Sequence, residues 1–253
     1  MKFFSSELGQ EYAKTYTFGY CNYGVLEPGD KISEMYERGY LPYSGSPDSR
    51  GLFYMARSGR LYLPEFELDS ECRRVTKKFD GKFTRKVTPL KDFKITEEFI
   101  TFWLEYFARA HGAAVLPREK LMHWLNFGII SDVGEYRDES GKVVAYSFEV
   151  SDKTMTHDWY QSYAVELNKQ SFGMWLLIDI ARAAKARGAT YYYPGTVYGG
   201  ATDYKSNFPA LEFWNGETWI KDAKNKQLRS RTNTDSNRQI TLIDEWKENH
   251  PLF

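Results

Sequence analysis

The stretch Asp158-Trp159-Tyr160-Gln161-Ser162-Tyr163-Ala164-Val165, continued by Glu166-Leu167-Asn168-Lys169-Gln170-Ser171-Phe172-Gly173-Met174-Trp175 and closed by Gly188 and Thr190-Tyr191-Tyr192-Tyr193, decides the fold. Residues 158–165 are aromatic-rich and read as a strand. From about 170 to 187 the pattern is that of a long amphipathic helix, and Gly188 supplies its C-terminal stop. Residues 190–193 return to strand character. A strand, a helix and a strand in succession predict a mixed α/β architecture.

The flanks agree. Upstream, Thr96-Glu97-Glu98 opens a helix over 98–111 that Gly112 ends, with Phe99, Ile100, Trp103, Phe107 and Ala110 at helical spacing. A second helix is expected over 118–127, then strands over 129–136 and 143–150 joined by a turn at 138–142. Downstream come a glycine-rich loop, a turn at Phe208-Pro209 and a hairpin over 213–219, where Asn215-Gly216 signals a type I′ turn. The order over 96–220 is that of a central, largely antiparallel sheet flanked by helices. It resembles the element order of the GNAT acyltransferase fold, an analogy silent about substrate.

Residues 1–70 are rich in Gly, Tyr and Pro, with turns at 27–30 and 44–48, a short helix over 31–39, and strands at 52–55 and 60–63. Ser70 reads as the cap of a basic helix over 71–79, and 80–95 as a charged, proline-containing connector. The expected division is a β-rich N-terminal lobe, 1–90, and a GNAT-like domain, 91–253. Residues 221–239 read as a polar, basic arm and 240–253 as a weak final element.

Bulk properties exclude several classes. Lys+Arg and Asp+Glu are 34 each, so any nucleic-acid contact must come from a local patch. Aromatics make up 17% of the 253 residues, enough for an aromatic core or a stacking pocket. Two cysteines, Cys21 and Cys72, and four scattered histidines give no disulfide scaffold and no metal-ligand spacing. The start of the chain lacks a signal-peptide core, and no apolar run approaches 18 residues. The expectation is a soluble, cytoplasmic protein with no membrane partner.

Three groups of residues carry chemistry. The junction at Glu166 to Trp175 opens a helix, whose N-terminal N–H groups attract anions. It holds one glycine, unlike the Gly-rich pyrophosphate loop of CoA-dependent acyltransferases. The loop after Tyr191-Tyr192-Tyr193-Pro194-Gly195 carries Asp203-Tyr204-Lys205. Arg73, Arg74, Lys77 and Lys78, followed by Lys82, Arg85 and Lys86, form the densest positive run, a candidate phosphate contact.

Two separated blocks resemble the arginyl- and leucyl-tRNA–protein transferase family. Glu37-Arg38-Gly39-Tyr40 through Ser44-Gly45, and Ser70 through Arg73-Arg74 to Lys78, are similar to its "(D/E)RG(W/Y)RxSG" and "SxxxRRxxRR" stretches. Ser171-Phe172-Gly173, Tyr191-Tyr192-Tyr193 and Tyr204-Lys205 before Phe208 and Leu211-Glu212 are similar to its "S(L/F)G", "YYYLGY" and "MxYKxxFxPLE" pieces. The family's N-terminal cysteine pairs are missing, so no metal, cluster or other cofactor is expected. Its "SCPKM" segment is replaced by Gly199-Gly200-Ala201-Thr202-Asp203.

The resemblance implies transfer of an amino acid, arginine- or leucine-type, from aminoacyl-tRNA to the N-terminal amine of an acceptor protein or peptide. It implies catalytic roles for Tyr204 and Lys205 at the leaving oxygen and for Glu166 or Asp203 at the amine proton. Tyr160, Tyr163, Ser171, Gly173, Tyr191 and Tyr193 would line the aminoacyl site. Arg38 would meet an acidic acceptor, and Arg73, Arg74, Lys77 and Lys78 the tRNA. Two alternatives stay open: a CoA-dependent N-acyltransferase of the same fold, and a non-catalytic relative that binds N-termini or RNA.

Overall fold

In chain order the alternating start gives strands β1 (Lys2–Glu7) and β2 (Tyr20–Val25), helix α1 (Ile32–Glu37), then β3 (Tyr40–Pro42), β4 (Leu52–Met55) and β5 (Ser58–Tyr62). Helix α2 (Ser70–Phe79) is capped by Asp69 and not by Ser70: the Asp69 carboxylate accepts the Cys72 N–H at 2.8 Å. The two residues compete for one role, and both chemistries suit it. Residues 80–95 are not a connector. Phe83–Pro89 form strand β6, with Phe83 and Arg85 turned inward and Thr84 and Lys86 exposed. Charge and proline at this place mark an edge strand, which such residues protect from further pairing.

Helices α3 (Glu97–Ala110) and α4 (Arg118–Leu125) follow, then β7 (Asp132–Asp138), β8 (Val143–Ser151), β9 (Met155–Tyr163), α5 (Phe172–Ala186), β10 (Tyr191–Thr196), β11 (Glu212–Trp214) and β12 (Trp219–Lys221). The last hairpin turns one residue later than the dipeptide signal suggests. Asn215 precedes the turn and its side-chain oxygen accepts the N–H groups of Glu217 and Thr218 at 3.0 and 2.8 Å, while Gly216 takes a φ of 110°. The computed structural model describes residues 1–7, 20–44, 51–198, 200–221 and 227–229. Most of the basic arm, including Lys224, Lys226, Arg231 and Arg238, and all of 240–253 lie outside the described residues.

The chain divides into two units, Met1–Leu61 with Gly195–Phe253, and Tyr62–Pro194. In the first, β1, β2, β4 and β3 form an antiparallel sheet in that order, and β12, β11 and β5 form an antiparallel ladder. Met35 and Tyr36 of α1 are fully buried, with Tyr36 edge-on to Phe53 at 6.5 Å. Gly39 ends α1 with a φ of 78°, and a Cβ there would lie 2.4 Å from the Trp214 ring. Only glycine meets both demands. Trp219 Nε1 donates to the Glu37 carbonyl at 2.8 Å, and Arg60 lies over the Trp219 ring at 4.2 Å while bonding Glu212 at 2.6 Å.

In the second unit the strand order is β10-β9-β8-β7-β6. All neighbours are antiparallel except β9 and β10. Side chains alternate across the sheet, so the two faces differ. Tyr146 and Phe148 meet α3, with Trp103 stacked on Phe148 at 4.1 Å and 11°. The opposite face carries Arg85, Tyr136, Ser147 and Glu149 and is covered by α5. There Phe172 and Trp175 pack against Phe79 of α2 and Phe83 of β6 at 5.3–5.8 Å between centroids. Trp175 Nε1 donates to Asp80 at 2.9 Å, satisfying the polar end of a buried ring.

Gly134 of β7 sits under this layer. A Cβ there would fall 2.3 Å from Ser147 Oγ and 2.9 Å from Glu149 Oε1. Gly134→Ala should therefore lower stability by about 1–3 kcal/mol, the usual scale for overpacking. Urea unfolding checks it, and an unchanged midpoint would contradict the packing described.

Candidate functional site

The site begins on β9. Its register with β8 pairs Glu149 with Asp158 and Phe148 with Tyr160, which leaves Trp159 as an extra residue, a β-bulge. Bulges bend a strand and gather beside active sites. On the other side β9 pairs with β10 over three positions, Tyr191↔Met155, Tyr192↔Thr156 and Tyr193↔His157, and β9 then runs on to Tyr163. The bulge lies just past the point where that parallel register ends. Two neighbouring strands thus part company along the aromatic half of β9.

The chain then makes a 3-10 turn, Val165–Gln170, and enters α5 through Ser171, which holds a left-handed φ of 66°. No side chain caps this helix. Its first N–H groups and the positive end of its dipole therefore have the capping role unfilled. Phe172 and Trp175 do not obstruct the helix end: both are buried against Phe79 and Phe83. Their bulk goes into the core.

Tyr163 closes the arrangement. A Cβ on Gly173 would lie 3.0 Å from the Tyr163 hydroxyl and 3.4 Å from its ring. The phenol therefore lies over the first turn of α5, held between Phe172 at 5.6 Å and Tyr106 at 4.7 Å. Tyr163, Ser171 and Gly173, all candidates from the sequence, come together here. Glu166 is exposed on the 3-10 turn that joins them.

Other candidates are placed differently. Tyr160 is half-buried and stacks on Trp124 at 4.0 Å and 9°, in an aromatic wall with Phe107 and Trp159. Tyr191 is half-buried beside Tyr62 at 5.7 Å, whereas Tyr193, 1% exposed, is a core ring. Arg73, Arg74, Lys77 and Lys78 all lie on the exposed side of α2, opposite Cys72, Val75 and Phe79. Arg74 is held by Glu71 at 2.7 and 2.5 Å, and Arg73 donates to the Leu68 carbonyl. Lys77 and Lys78 make no ion pair among the described residues. Arg85 is not part of this patch; it turns inward and bonds Glu149 at 2.6 Å.

The remaining candidates belong to the first unit. Arg38 is exposed, its guanidinium 5.5 Å from the Phe3 ring. Tyr204 is 38% exposed and Lys205 half-buried on a 3-10 segment, Gly200–Asn207. The Asp203 side chain lies outside the described residues. Sequence reasoning missed His157 and Asp158, which are 2% and 5% exposed. Gln161 Nε2 donates to the Asp158 carboxylate. The available signal was a carboxylate inside an aromatic strand, where burial is costly without partners. Among the described residues no three His, Cys, Asp or Glu side chains are grouped as metal ligands, and no helix is long and apolar enough to cross a membrane.

A family model described as "Acetyltransferase (GNAT) domain" matches residues 71–206. The chain belongs to this GNAT family. The match includes β9, α5 and β10, so the parting strands and the uncapped helix start sit in an acyl-transfer frame. No curated protein matches the chain. Among solved structures, L-PGS from Bacillus licheniformis is 13% identical at a TM-score of 0.48, covering 79% of this chain and 69% of that one. The C-terminal domain of a putative lysylphosphatidylglycerol synthetase from Agrobacterium fabrum is 13% identical at 0.43, covering 72% and 64%. A GCN5-related glucosamine N-acetyltransferase region of a fungal multi-domain GH3 β-N-acetylglucosaminidase is 15% identical at 0.42, covering 83% and 24%.

Gly173→Ala tests the link between Tyr163 and the helix end. Alanine favours the helix by up to about 1 kcal/mol, so the melting temperature should hold or rise. The added methyl displaces the phenol, and transfer should fall about tenfold through misplacement. Steady-state kinetics beside a thermal melt separates the two effects; full activity removes Tyr163 from the site.

Proposed function

We propose that this GNAT-family chain transfers an aminoacyl group from a charged tRNA to the N-terminal amine of a protein or peptide. The observation that carries the reading is the meeting of Tyr163, Ser171 and Gly173 at the uncapped start of α5. These are residues of the arginyl/leucyl-tRNA–protein transferase resemblance, and a helix end of this kind suits the phosphates of a tRNA 3′ terminus.

The donor ester is already activated, so no protein nucleophile is needed. The neutral α-amine, with an ordinary pKa near 8, attacks the ester carbonyl carbon. The new C–N bond forms, the tetrahedral oxyanion collapses, and the bond to the ribose 3′ oxygen breaks. The amine gives up a proton and the 3′ oxygen gains one. Glu166 or Asp203 receives the first; Tyr204 and Lys205 serve the leaving oxygen. Most of the acceleration comes from positioning and from donors aimed at the oxyanion. Tyr160 and Tyr163 give the aminoacyl group and terminal adenine an aromatic surface; Tyr191, paired with Met155 at the start of β9, and the buried Tyr193 lie outside it. Arg38 answers an acidic acceptor. The arginine- or leucine-type donor and the N-degron-type role rest on the resemblance alone.

A second reading has its own observation. The family description is that of an acetyltransferase, and the α5 terminus carries no side-chain cap, the kind of helix start that suits a CoA pyrophosphate. A mass-spectrometric assay with pooled charged tRNAs, peptides varied at the first residue, and a parallel acetyl-CoA reaction separates the two. A peptide heavier by one amino-acid residue, lost after RNase treatment, is the expected product. An acetyl adduct moves the chain to CoA chemistry, and binding without either product makes it a non-catalytic relative.

Lys77→Glu with Lys78→Glu should weaken tRNA binding across all sequences and flatten the log–log salt slope by about 2, one for each phosphate no longer neutralised. Tyr204→Phe and Lys205→Ala should each cut turnover while leaving tRNA affinity near wild type. Undiminished turnover in both would remove them from the chemistry.

A further inference from the structure

On the sheet face under α5, at the end away from its first turn, lies a cavity of about 470 Å³ within the Tyr62–Pro194 unit. That volume suits a small metabolite. Ile180 lies eight residues into α5, about 12 Å along the axis from Phe172. The cavity is therefore separate from the Tyr163–Gly173 site. The half-buried Ala183 is the small side chain that α5 presents to it. Val87 of β6 lines it and is 44% exposed, apolar surface facing an unfilled space.

Six charged groups line the cavity, three of each sign, and four are committed. Arg85 and Glu149 bond each other at 2.6 Å in the floor. The Arg187 fork donates to the carbonyls of Asp152 and Met155, both at 2.6 Å. The Asp152 carboxylate accepts the N–H groups of Thr154 and Met155 at 2.7 and 2.9 Å. These bonds fix the rim before any ligand arrives, which lowers the cost of binding. Two groups are left. The Asp132 carboxylate and the Lys153 ammonium make no hydrogen bond or ion pair among the described residues.

One acid, one base and an apolar wall of Val87 and Ala183, backed by the buried Ile180 and Ala184, define the complement. We propose that this cavity binds a free aliphatic α-amino acid, its ammonium on Asp132, its carboxylate on Lys153 and its side chain against the wall. A ligand bearing one charge leaves the opposite rim group unanswered, and the committed groups give a larger ion no net attraction. The site is independent of the transfer reading and takes its ligand without tRNA or peptide.

Isothermal titration of the full chain with L-leucine tests it, alongside glycine, leucinamide and 4-methylpentanoate. Leucine should bind at least about tenfold more tightly than glycine, from burial of its side chain. It should also bind more tightly than leucinamide or 4-methylpentanoate, each of which lacks one charge. Asp132→Asn and Lys153→Met should each weaken leucine about tenfold, and Ala183→Leu should abolish binding by filling the space, with circular dichroism confirming the fold. No heat with leucine at 10 mM overturns the proposal. Wild-type affinity in Asp132→Asn and Lys153→Met overturns it too, as does equal affinity for 4-methylpentanoate, which marks a plain anion site. Because no transfer is measured, this test and the test of tRNA-dependent activity fail separately.

Discussion

The parallel pairing of β9 with β10 constrains everything around it. Antiparallel neighbours need only a short turn, but parallel neighbours need a crossover that returns the chain to the same end of the sheet. Here the crossover is α5. It must start where β9 finishes, so its N-terminus is delivered to the C-terminal end of β9. Phe172 and Trp175 then anchor that first turn in the α2–β6 aromatic layer, because a helix start held only by its uncapped backbone would fray. The same geometry puts Tyr163, the last residue of β9, over Gly173. The site follows from chain direction before any side-chain chemistry is considered.

Beneath α5 the sheet carries an ionic layer where an apolar one is the default. Burial works against the Arg85 charge, yet Tyr136, Glu149 and Asp179 outweigh it and its pKa is raised. Burial likewise raises the Asp179 carboxyl, and Arg85 and Tyr136 pull it back. Such a layer adds little net stability, because desolvation offsets attraction, but removal of one partner leaves a buried charge and costs about 3–5 kcal/mol. Its effect is to fix register. Arg85 on β6, Gly134 on β7 and Ser147 and Glu149 on β8 fit only when the three strands are aligned as they are. A one-residue slip would turn Arg85 to the α3 side, against Tyr146 and Phe148.

Legibility in the sequence follows locality. Helices α3 and α5 and strands β4 and β8 are readable because their periodicity lies within one element. The GNAT-like order follows from them. Strand β6 is not readable, because what marks Phe83–Pro89 as a strand is its partner β7, about 50 residues away in sequence. Proline and charge, protective at an edge, imitate a linker. The same limit applies to the site. Tyr163, Ser171 and Gly173 are close in sequence and stand out together. The Trp159 bulge depends on the offset between β8 and β9, so neither it nor the adjacent Asp158 stands out. Tyr193 reads like Tyr191 because they share a face; how deeply each is buried is set by what packs over them.

The charge pattern is legible only as a sum. In the sequence, Arg73 to Lys86 is one basic run. In the structure its members have separate fates: Arg85 is buried on Glu149, Arg74 is held by Glu71, and Arg73 reaches back to Leu68. Lys77 and Lys78, with the exposed Lys82 and Lys86, are left for solvent or phosphate. A polyanion meeting so few cations gains little from counterion release, about one power of salt concentration per phosphate. For the proposed reading this has a mechanistic consequence. A zero net charge gives no long-range hold on tRNA, so recognition would rest on the 3′ end at α5. That suits a donor which must leave, uncharged, after every turnover.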